Sequence, residues 1–459
     1  MDYLSKYKNL SLAIRELFYE KEFPLFLGAL AVLLHFVEAQ FFGLAIFVFF
    51  ACVILVFIDD LTPILPLAFL VIFNFHDYEG TKNPIFYLIL APALVCFIIH
   101  AFRFKTERFK FGKFFLPLCC ITLSLALGGV FSKFVSQYSQ GILEIIAFGP
   151  ITLLVYLYFI NYLNPPKDFN IKKYLCSLIV IMAITPAIEQ ILMLAIKVAP
   201  DAIDKDVLGW GSVNVVATLI LLAIPCEFYL LCKAKNLVPH VLVVLFLIAS
   251  LFVSGSEACL GIALVITPLT IVYSILYVRK ENREYYVKIL LCLLLLAVIV
   301  VYICYDSGAL NSLIERVKTS LSSDSGRTEL YLEACDLFRQ SPIFGAGMGY
   351  YDHDNPMFKG ETLFYYNFHS TFFNTLAKMG MVGILSYTLL YITRYRELMK
   401  AHTPFHVFLT LAFGSYACYA MVDTAEFNIM PCVIIITLIF AMLEIINDRE
   451  ETYLPSFLK

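Results

Sequence analysis

The chain has 459 residues, of which 61% are hydrophobic and only 15% are charged, and its formal net charge is −3. A soluble protein of this length has no interior large enough to bury so much apolar area, so the composition excludes a soluble globular protein and predicts a membrane protein. The nearly balanced charge also argues against nucleic acid as a partner, because nucleic-acid binding needs clustered positive charge.

Apolar stretches follow one another along the chain, and each approaches the length that crosses a bilayer as a helix. They predict an all-α, polytopic transmembrane bundle of about twelve to fourteen spans. The N-terminal 23 residues carry both signs of charge before an apolar stretch, which argues against a cleaved signal peptide. The predicted spans are 24–37, 39–58, 63–75, 85–102, 114–131, 142–163, 174–197, 213–232, 239–253, 256–278, 288–305, 370–393, 404–422 and 429–446.

Lysine and arginine cluster in alternate loops, such as 103–113, 167–173, 279–288 and 394–400. Because short cytoplasmic loops retain positive charge, this alternation predicts that both termini are cytoplasmic.

One loop is much longer than the others. Residues 306–369 form a polar stretch on the predicted outer side, and they divide the chain into transmembrane helices 1–305, this extracytoplasmic loop, and C-terminal helices 370–459. Within the loop, residues 326–339 carry apolar side chains at helical spacing, and Leu310 to Leu321 form a second short amphipathic piece. The sequence therefore predicts a partly helical loop.

Arg327 stands at the predicted start of that helix. A helix N-terminus favours an anion, and a guanidinium binds phosphate oxygens bidentately, so Arg327 is a candidate phosphate ligand. The alternative is a surface residue paired with Asp324 or Glu329. Further on, Gly345 and Gly347 permit a tight turn or a close backbone approach to a ligand.

His369 precedes a transmembrane helix at its outer end, where an imidazole can act as a base or as a hydrogen-bond donor near pH 7. An interfacial histidine without chemistry is the alternative. Tyr366 is a candidate for stacking on a sugar face, although tyrosine is enriched at headgroup depth in any case.

Taken together, these pieces resemble the core of the bacterial O-antigen ligase and O-antigen polymerase superfamily. The resemblance rests on Gly326-Arg327, Pro342 to Gly349, His369, and Gly380 with Gly383. Upstream, Trp210 to Ala217 is similar to the outer loop in which an asparagine, here Asn214, begins the next helix. Ser254-Gly255-Ser256 is similar to the family's Ser-Arg-Gly-Ala segment.

The resemblance implies a GT-C-like glycosyltransferase on the outer face of the bacterial cytoplasmic membrane. Its donor would be a glycan joined through diphosphate to a polyprenyl lipid, and its acceptor a sugar hydroxyl on another glycan. In that reading Arg327 stabilises the departing diphosphate, while His369 accepts the hydroxyl proton or contacts the diphosphate. The resemblance also implies no metal and no cofactor.

One departure from the family pattern concerns charge. Glu257 stands where the family commonly has arginine, and it is either a different kind of ligand or a catalytic carboxylate. Lys205, Arg316 and Lys318 are possible substitutes for the missing basic contacts. Four acids approach the predicted outer surface and are alternative candidates for the base: Glu38, Glu257, Asp423 and Glu426.

Among the implied activities we favour a polymerase of lipid-linked repeat units, with a chain-length regulator and a flippase as possible partners. The first alternative is a ligase that moves a finished glycan to lipid A core or another acceptor. The second is a transporter or flippase of lipid-linked glycans, which predicts internal symmetry and broken helices. The sequence shows neither feature.

Overall fold

A computed structural model describes residues 2–37, 39–70, 84–105, 108–133, 138–196, 213–306, 327–350, 367–426 and 430–453. Within these ranges all regular secondary structure is helical and no strand is present, which confirms the all-α prediction.

The described helices are numbered in chain order. They are α1 (Asp2–Tyr19), α2 (Glu22–Phe36), α3 (Gln40–Phe57), α4 (Leu65–Leu70), α5 (Pro84–Arg103), α6 (Phe115–Leu127), α7 (Tyr138–Ile146), α8 (Thr152–Tyr162), α9 (Ile171–Ile196), α10 (Val213–Lys233), α11 (Val238–Ser254), α12 (Glu257–Tyr277), α13 (Arg283–Asp306), α14 (Arg327–Gln340), α15 (Thr371–Leu398), α16 (Pro404–Val422) and α17 (Met430–Tyr453).

Seven helical stretches in the described chain are long and apolar enough to cross a membrane: α5, the continuous run through α7 and α8, α9, α10, α12, α15 and α16. The shorter apolar helices are α2, α3, α6 and α11. These helices confirm a polytopic helical membrane protein.

Two predicted spans have a different local form. The described part of span 63–75 is a 3-10 turn, Thr62–Ile64, followed by the single short helix α4. Span 142–163 contains a π-helical segment, Ala147–Ile151, between α7 and α8. Pro150 lies in that segment and has no N–H to donate to the helical ladder, which accounts for the local change in pitch.

α10 forms the centre of the bundle. It packs against α9, α11, α12 and α16, and its apolar side chains are buried all round, as at Val216, Ile220 and Cys226. A helix that is apolar on every face is expected at such a central position. By contrast, α5 exposes large apolar side chains such as Leu88 and Phe102, in keeping with a surface that meets lipid.

The predicted amphipathic helix of the long loop is confirmed as α14. It buries Leu330, Ala334 and Leu337 and packs against α15, as the helical spacing of these residues predicted. The second predicted piece, Leu310 to Leu321, lies outside the described residues.

α15 is interrupted at Gly380, where the backbone adopts φ 61° and ψ −151°. The absence of broken helices inferred from the sequence is therefore wrong for α15. A segment that we call the glycine loop, residues 341–350, inserts at this break and is buried over residues 345–348.

The glycine loop supplies hydrogen bonds that the interrupted helix lacks. The N–H groups of Ala346 and Gly347 donate to the carbonyls of Ala377 (2.7 Å) and Lys378 (3.0 Å). The Pro342 and Ile343 carbonyls in turn accept from Met381 (2.9 Å) and Val382 (3.2 Å). Irregular backbone at membrane depth requires such internal partners, because lipid offers none.

Gly345 is the point of closest approach between this loop and α15. It has φ 66°, and a Cβ added there would lie 2.5 Å from two backbone atoms of Lys378 and Met379. Only glycine fits this position, because a left-handed backbone and a side-chain-free contact are needed together.

Candidate functional site

His369 lies in the turn that leads into α15 and has the left-handed backbone value φ 45°, which is uncommon for a residue other than glycine. Hydrogen bonds from neighbouring residues fix both the N–H and the carbonyl of His369. The His369 N–H donates to Oδ1 of Asn367 (2.8 Å), and its carbonyl accepts from the Tyr331 hydroxyl (3.2 Å). Ser370 then caps α15 by accepting from the Phe373 N–H (3.5 Å). A non-glycine residue held in this conformation marks a candidate functional position.

Asp423 contacts the His369 ring. It follows the last residue of α16, and its Oδ1 lies 3.4 Å from His369 Nδ1. Its Oδ2 accepts from the Tyr419 hydroxyl (2.6 Å), and its Oδ1 also accepts from the Thr424 N–H (2.7 Å). An Nδ1–H group donating to this carboxylate leaves Nε2 with the lone pair, and Nε2 is then the nitrogen able to accept a proton.

The pKa of Asp423 reflects two opposing influences. Burial raises it, but the hydrogen bonds from His369 and Tyr419, the attraction of the His369 ring and the Thr424 N–H together hold the pKa below its usual value. Asp423 is therefore an ionised carboxylate at neutral pH, suited to orienting an imidazole and to stabilising it when protonated.

Arg327 reaches this site through α14. It is the first residue of that helix, is partly exposed, and lies one turn before Tyr331, whose hydroxyl donates to the His369 carbonyl. The Tyr331 ring stacks on Phe373 of α15 with centroids 4.2 Å apart, which fixes the start of α14 against the start of α15. The pKa of Tyr331 is raised, mainly by burial. The Arg327 guanidinium opposes this shift and the Asp423 carboxylate adds to it, so both charges act on the Tyr331 hydroxyl.

The first turns of α10 and α12 complete the surroundings of Asp423. Thr218 of α10 lies beside the Tyr419 hydroxyl, and Cys259 of α12 is close enough to Asp423 to interact electrostatically. Asn214 lies one turn before Thr218, and its carbonyl accepts from the Thr218 hydroxyl (2.8 Å). Glu257 is the exposed first residue of α12. Four helices, α10, α12, α14 and α15, thus begin at the end of the bundle that we call the His369 end.

A buried ion pair anchors the segment that carries Asp423. Glu426 accepts from Arg394 of α15 at 2.6 Å, and both side chains are almost fully buried. Aromatic rings of Tyr391, Phe413 and Phe440 pack around the guanidinium at 5.3–5.5 Å. The chain after α16 is therefore tied to α15 at two points, through Asp423 and through Glu426.

An apolar groove of about 680 Å³ starts beside this site. It begins at Thr371 and Phe372 and follows α15 past Tyr387 and Ile392 to Met399. Its walls carry few polar groups, so it suits an elongated apolar chain.

The structure brings some of the predicted site residues together and leaves others apart. His369 and Arg327 lie on adjoining helix starts, with Asn214 and Glu257 at the same end of the bundle. Gly345 approaches protein backbone at the break in α15, and Gly347 approaches the backbone of Gly128 and Gly129 after α6, so their binding of substrate stays a prediction. The remaining candidates lie outside the described residues: Glu38, Lys205, Arg316, Lys318 and Tyr366.

Sequence reasoning did not identify Tyr331, Asn367 or Tyr419 as parts of this site, and it named Asp423 only as one of four acids. The one sequence feature that pointed to Asp423 was its position directly after an apolar span, where a carboxylate is expected at the membrane surface. In the described part of the chain, no group of three or more His, Cys, Asp or Glu side chains is placed to hold a metal ion.

The fold and the site together define a polytopic helical membrane protein in which a histidine contacts an aspartate where several helices begin, one of them starting with Arg327. Residues 242–388 match the family described as O-antigen ligase. The match runs from α11 through α14, the glycine loop and His369 into α15, and it confirms the resemblance to the O-antigen ligase and polymerase superfamily in this part of the chain. Asn214 and Asp423 lie beyond the matched residues. No curated protein matches the sequence.

Proposed function

We propose that the protein is a glycosyltransferase that polymerises polyprenyl-diphosphate-linked repeat units on the outer face of a bacterial cytoplasmic membrane. The observation that carries this proposal is the contact of His369 with Asp423 beside the start of the helix that carries Arg327. The family match supports glycan processing of the ligase or polymerase kind.

In this reaction an acceptor hydroxyl oxygen attacks the anomeric carbon of the donor glycan, and the bond from that carbon to the diphosphate oxygen breaks. The hydroxyl proton passes to Nε2 of His369. Asp423 holds the ring through Nδ1 and stabilises the imidazolium that forms, so it acts as a positioning residue. The electron pair of the broken bond leaves with the polyprenyl diphosphate.

The leaving diphosphate gains negative charge as that bond breaks. Arg327 supplies a positive charge, and the N-termini of α14 and α15 direct the positive ends of their helix dipoles to the same region. These groups stabilise the transition state more than the ground state, which is the condition for faster turnover.

The groove along α15 supports a lipid-linked donor. It begins at Thr371, two residues after His369, and its apolar walls run along a membrane-spanning helix. A polyprenyl chain lying in this groove would place its diphosphate at the His369 end of the bundle.

A ligase is the second candidate, because the matched family is described as O-antigen ligase. Polymerase and ligase differ in the acceptor: the polymerase extends a lipid-linked glycan of the same kind, whereas the ligase uses a different molecule. A donor-only assay separates the two.

The test uses purified protein in liposomes with one defined polyprenyl-diphosphate oligosaccharide, and chain length is read by gel and mass spectrometry. We expect a ladder of products, also with chelator present. Arg327→Ala and His369→Ala should each lower turnover by at least about 100-fold. The matched controls are Arg339→Ala, at the exposed opposite end of α14, and His402→Ala, an exposed histidine outside the site; both should keep wild-type turnover.

Three outcomes would contradict the proposal. Wild-type turnover in folded Arg327→Ala or His369→Ala protein would remove these residues from the mechanism. Product formed only after a different acceptor is added would assign the protein as a ligase. Movement of the lipid-linked glycan across the bilayer without any new glycosidic bond would assign it as a transporter.

A further inference from the structure

A second site lies at the end of the bundle opposite His369. Here α9, α11 and α16 begin and α10 ends, and between them is a cavity of about 530 Å³ that we call the basic cavity. α10 and α16 therefore each reach the His369 site with one end and the basic cavity with the other.

The basic cavity is lined by more cationic than anionic side chains. Lys172, Lys173, Lys233 and His240 line it, and no carboxylate is among its described lining residues. Two acids beside it are paired with lining residues: Glu450 with Lys172, and Glu227 with His240 at 2.7 Å, while Asp168 lines the adjoining cavity. Positive charge thus exceeds negative charge here, and an anion would balance it.

Three helix starts add to this charge. Asn170 and Thr403, which line the cavity, immediately precede α9 and α16, and His240 is the third residue of α11. The positive ends of three helix dipoles therefore face the same space as the lysines, an arrangement that suits a phosphate group.

An apolar cavity of about 710 Å³ adjoins the basic cavity and shares Asn170, Lys173, Leu230 and His240 with it. Its lining also includes Lys21, Asp168 and Glu227, and its walls continue along α9 as far as Ile184. From Lys173 to Ile184 an α-helix rises roughly 17 Å, close to the half-thickness of about 15 Å for the hydrocarbon core. The apolar cavity therefore spans about one leaflet.

We propose that the two joined cavities bind an anionic phospholipid of the cytoplasmic leaflet, with its phosphate among Lys172, Lys173 and Lys233 and an acyl chain in the apolar cavity. The loop charges of the sequence predict that this face is cytosolic. A free phosphate would use only the basic cavity, whereas a phospholipid uses both, so the adjoining apolar space favours the lipid.

The test measures binding of short-chain dioctanoyl phosphatidylglycerol to the detergent-purified full chain by native mass spectrometry. Dioctanoyl phosphatidylcholine and inorganic phosphate serve as comparison ligands. The double variant Lys173→Gln/Lys233→Gln should bind phosphatidylglycerol about 30-fold more weakly. The matched control Lys235→Gln/Lys280→Gln removes two lysines from the same face outside either cavity and should bind like the wild type.

A second variant tests the apolar cavity separately. Ile181→Phe fills part of its wall and should weaken phosphatidylglycerol binding while leaving the lysines in place. Equal binding of phosphatidylcholine and phosphatidylglycerol would overturn the proposal, as would unchanged binding in the double lysine variant. Competition by inorganic phosphate at the same concentration would identify a site for a free anion instead. Size-exclusion profiles confirm that each variant is folded.

Discussion

Gly345→Ala gives the most direct test of how the glycine loop supports the site. The added Cβ would lie 2.5 Å from backbone atoms of Lys378 and Met379, where no flexible side chain can move aside. The left-handed backbone of Gly345, φ 66°, costs alanine about 1–2 kcal/mol in addition. The loop must therefore leave the break in α15.

The size of the effect follows from the hydrogen bonds that this movement breaks. Four backbone bonds of 2.7–3.2 Å join the loop to α15. Each buried polar group left without a partner costs about 1–3 kcal/mol, so losing only two of these bonds leaves four such groups. We expect destabilisation of about 5 kcal/mol or more and a melting temperature lowered by about 10–20 °C.

The assay is thermal unfolding of detergent-purified protein, followed by size-exclusion chromatography after heating. Gly414→Ala is the matched control, because no atom lies within 4 Å of a Cβ added at that position of α16. It should leave the melting temperature unchanged or raise it slightly. A Gly345→Ala protein that melts like the wild type would refute this reasoning. If it also bound donor more weakly, Gly345 would be a substrate contact.

Three further predictions concern the surroundings of His369. Asp423→Asn should lower the melting temperature at pH 7. Because the pKa of Asp423 is depressed in the folded protein, its carboxylate stabilises the fold above the unfolded pKa of about 3.9. The difference in melting temperature between wild type and variant should therefore shrink as the pH falls below that value. Arg394→Met leaves Glu426 buried without its countercharge, with only the Tyr391 hydroxyl still donating to it, and should cost about 3–5 kcal/mol. The double variant with Glu426→Gln should recover much of this cost in a double-mutant cycle, and additive costs would contradict the pairing. Tyr331→Phe keeps the stacked ring but loses the hydroxyl that donates to His369, so turnover should fall with a stability loss of about 1 kcal/mol. Tyr350→Phe, which loses a bond from the glycine loop to Glu333 of α14, should not lower turnover.

The helices were predictable because local sequence determines them. Apolar runs long enough to cross a bilayer predicted the membrane-spanning helices, and the spacing of Leu330, Ala334 and Leu337 predicted α14 together with its buried face. The position of Arg327 at the start of a helix followed from the same pattern.

The partners within the site were not predictable in this way. His369 and Asp423 are 54 residues apart, and only the packing of α15 against α16 brings them together. Periodicity indicates which face of a helix is apolar, but it does not indicate which neighbour that face meets. The break at Gly380 was not predicted for a related reason. A glycine in an apolar run does not indicate that a distant loop supplies the hydrogen bonds that the helix lacks there.

The hydrogen bonds that join the glycine loop to α15 run between main-chain atoms. Such bonds constrain residue size and backbone torsion more than side-chain chemistry, so surrounding positions can change character while the geometry persists. In distant relatives of this chain, we accordingly expect the two glycines equivalent to Gly345 and Gly380 to be retained more often than the charged residues between them.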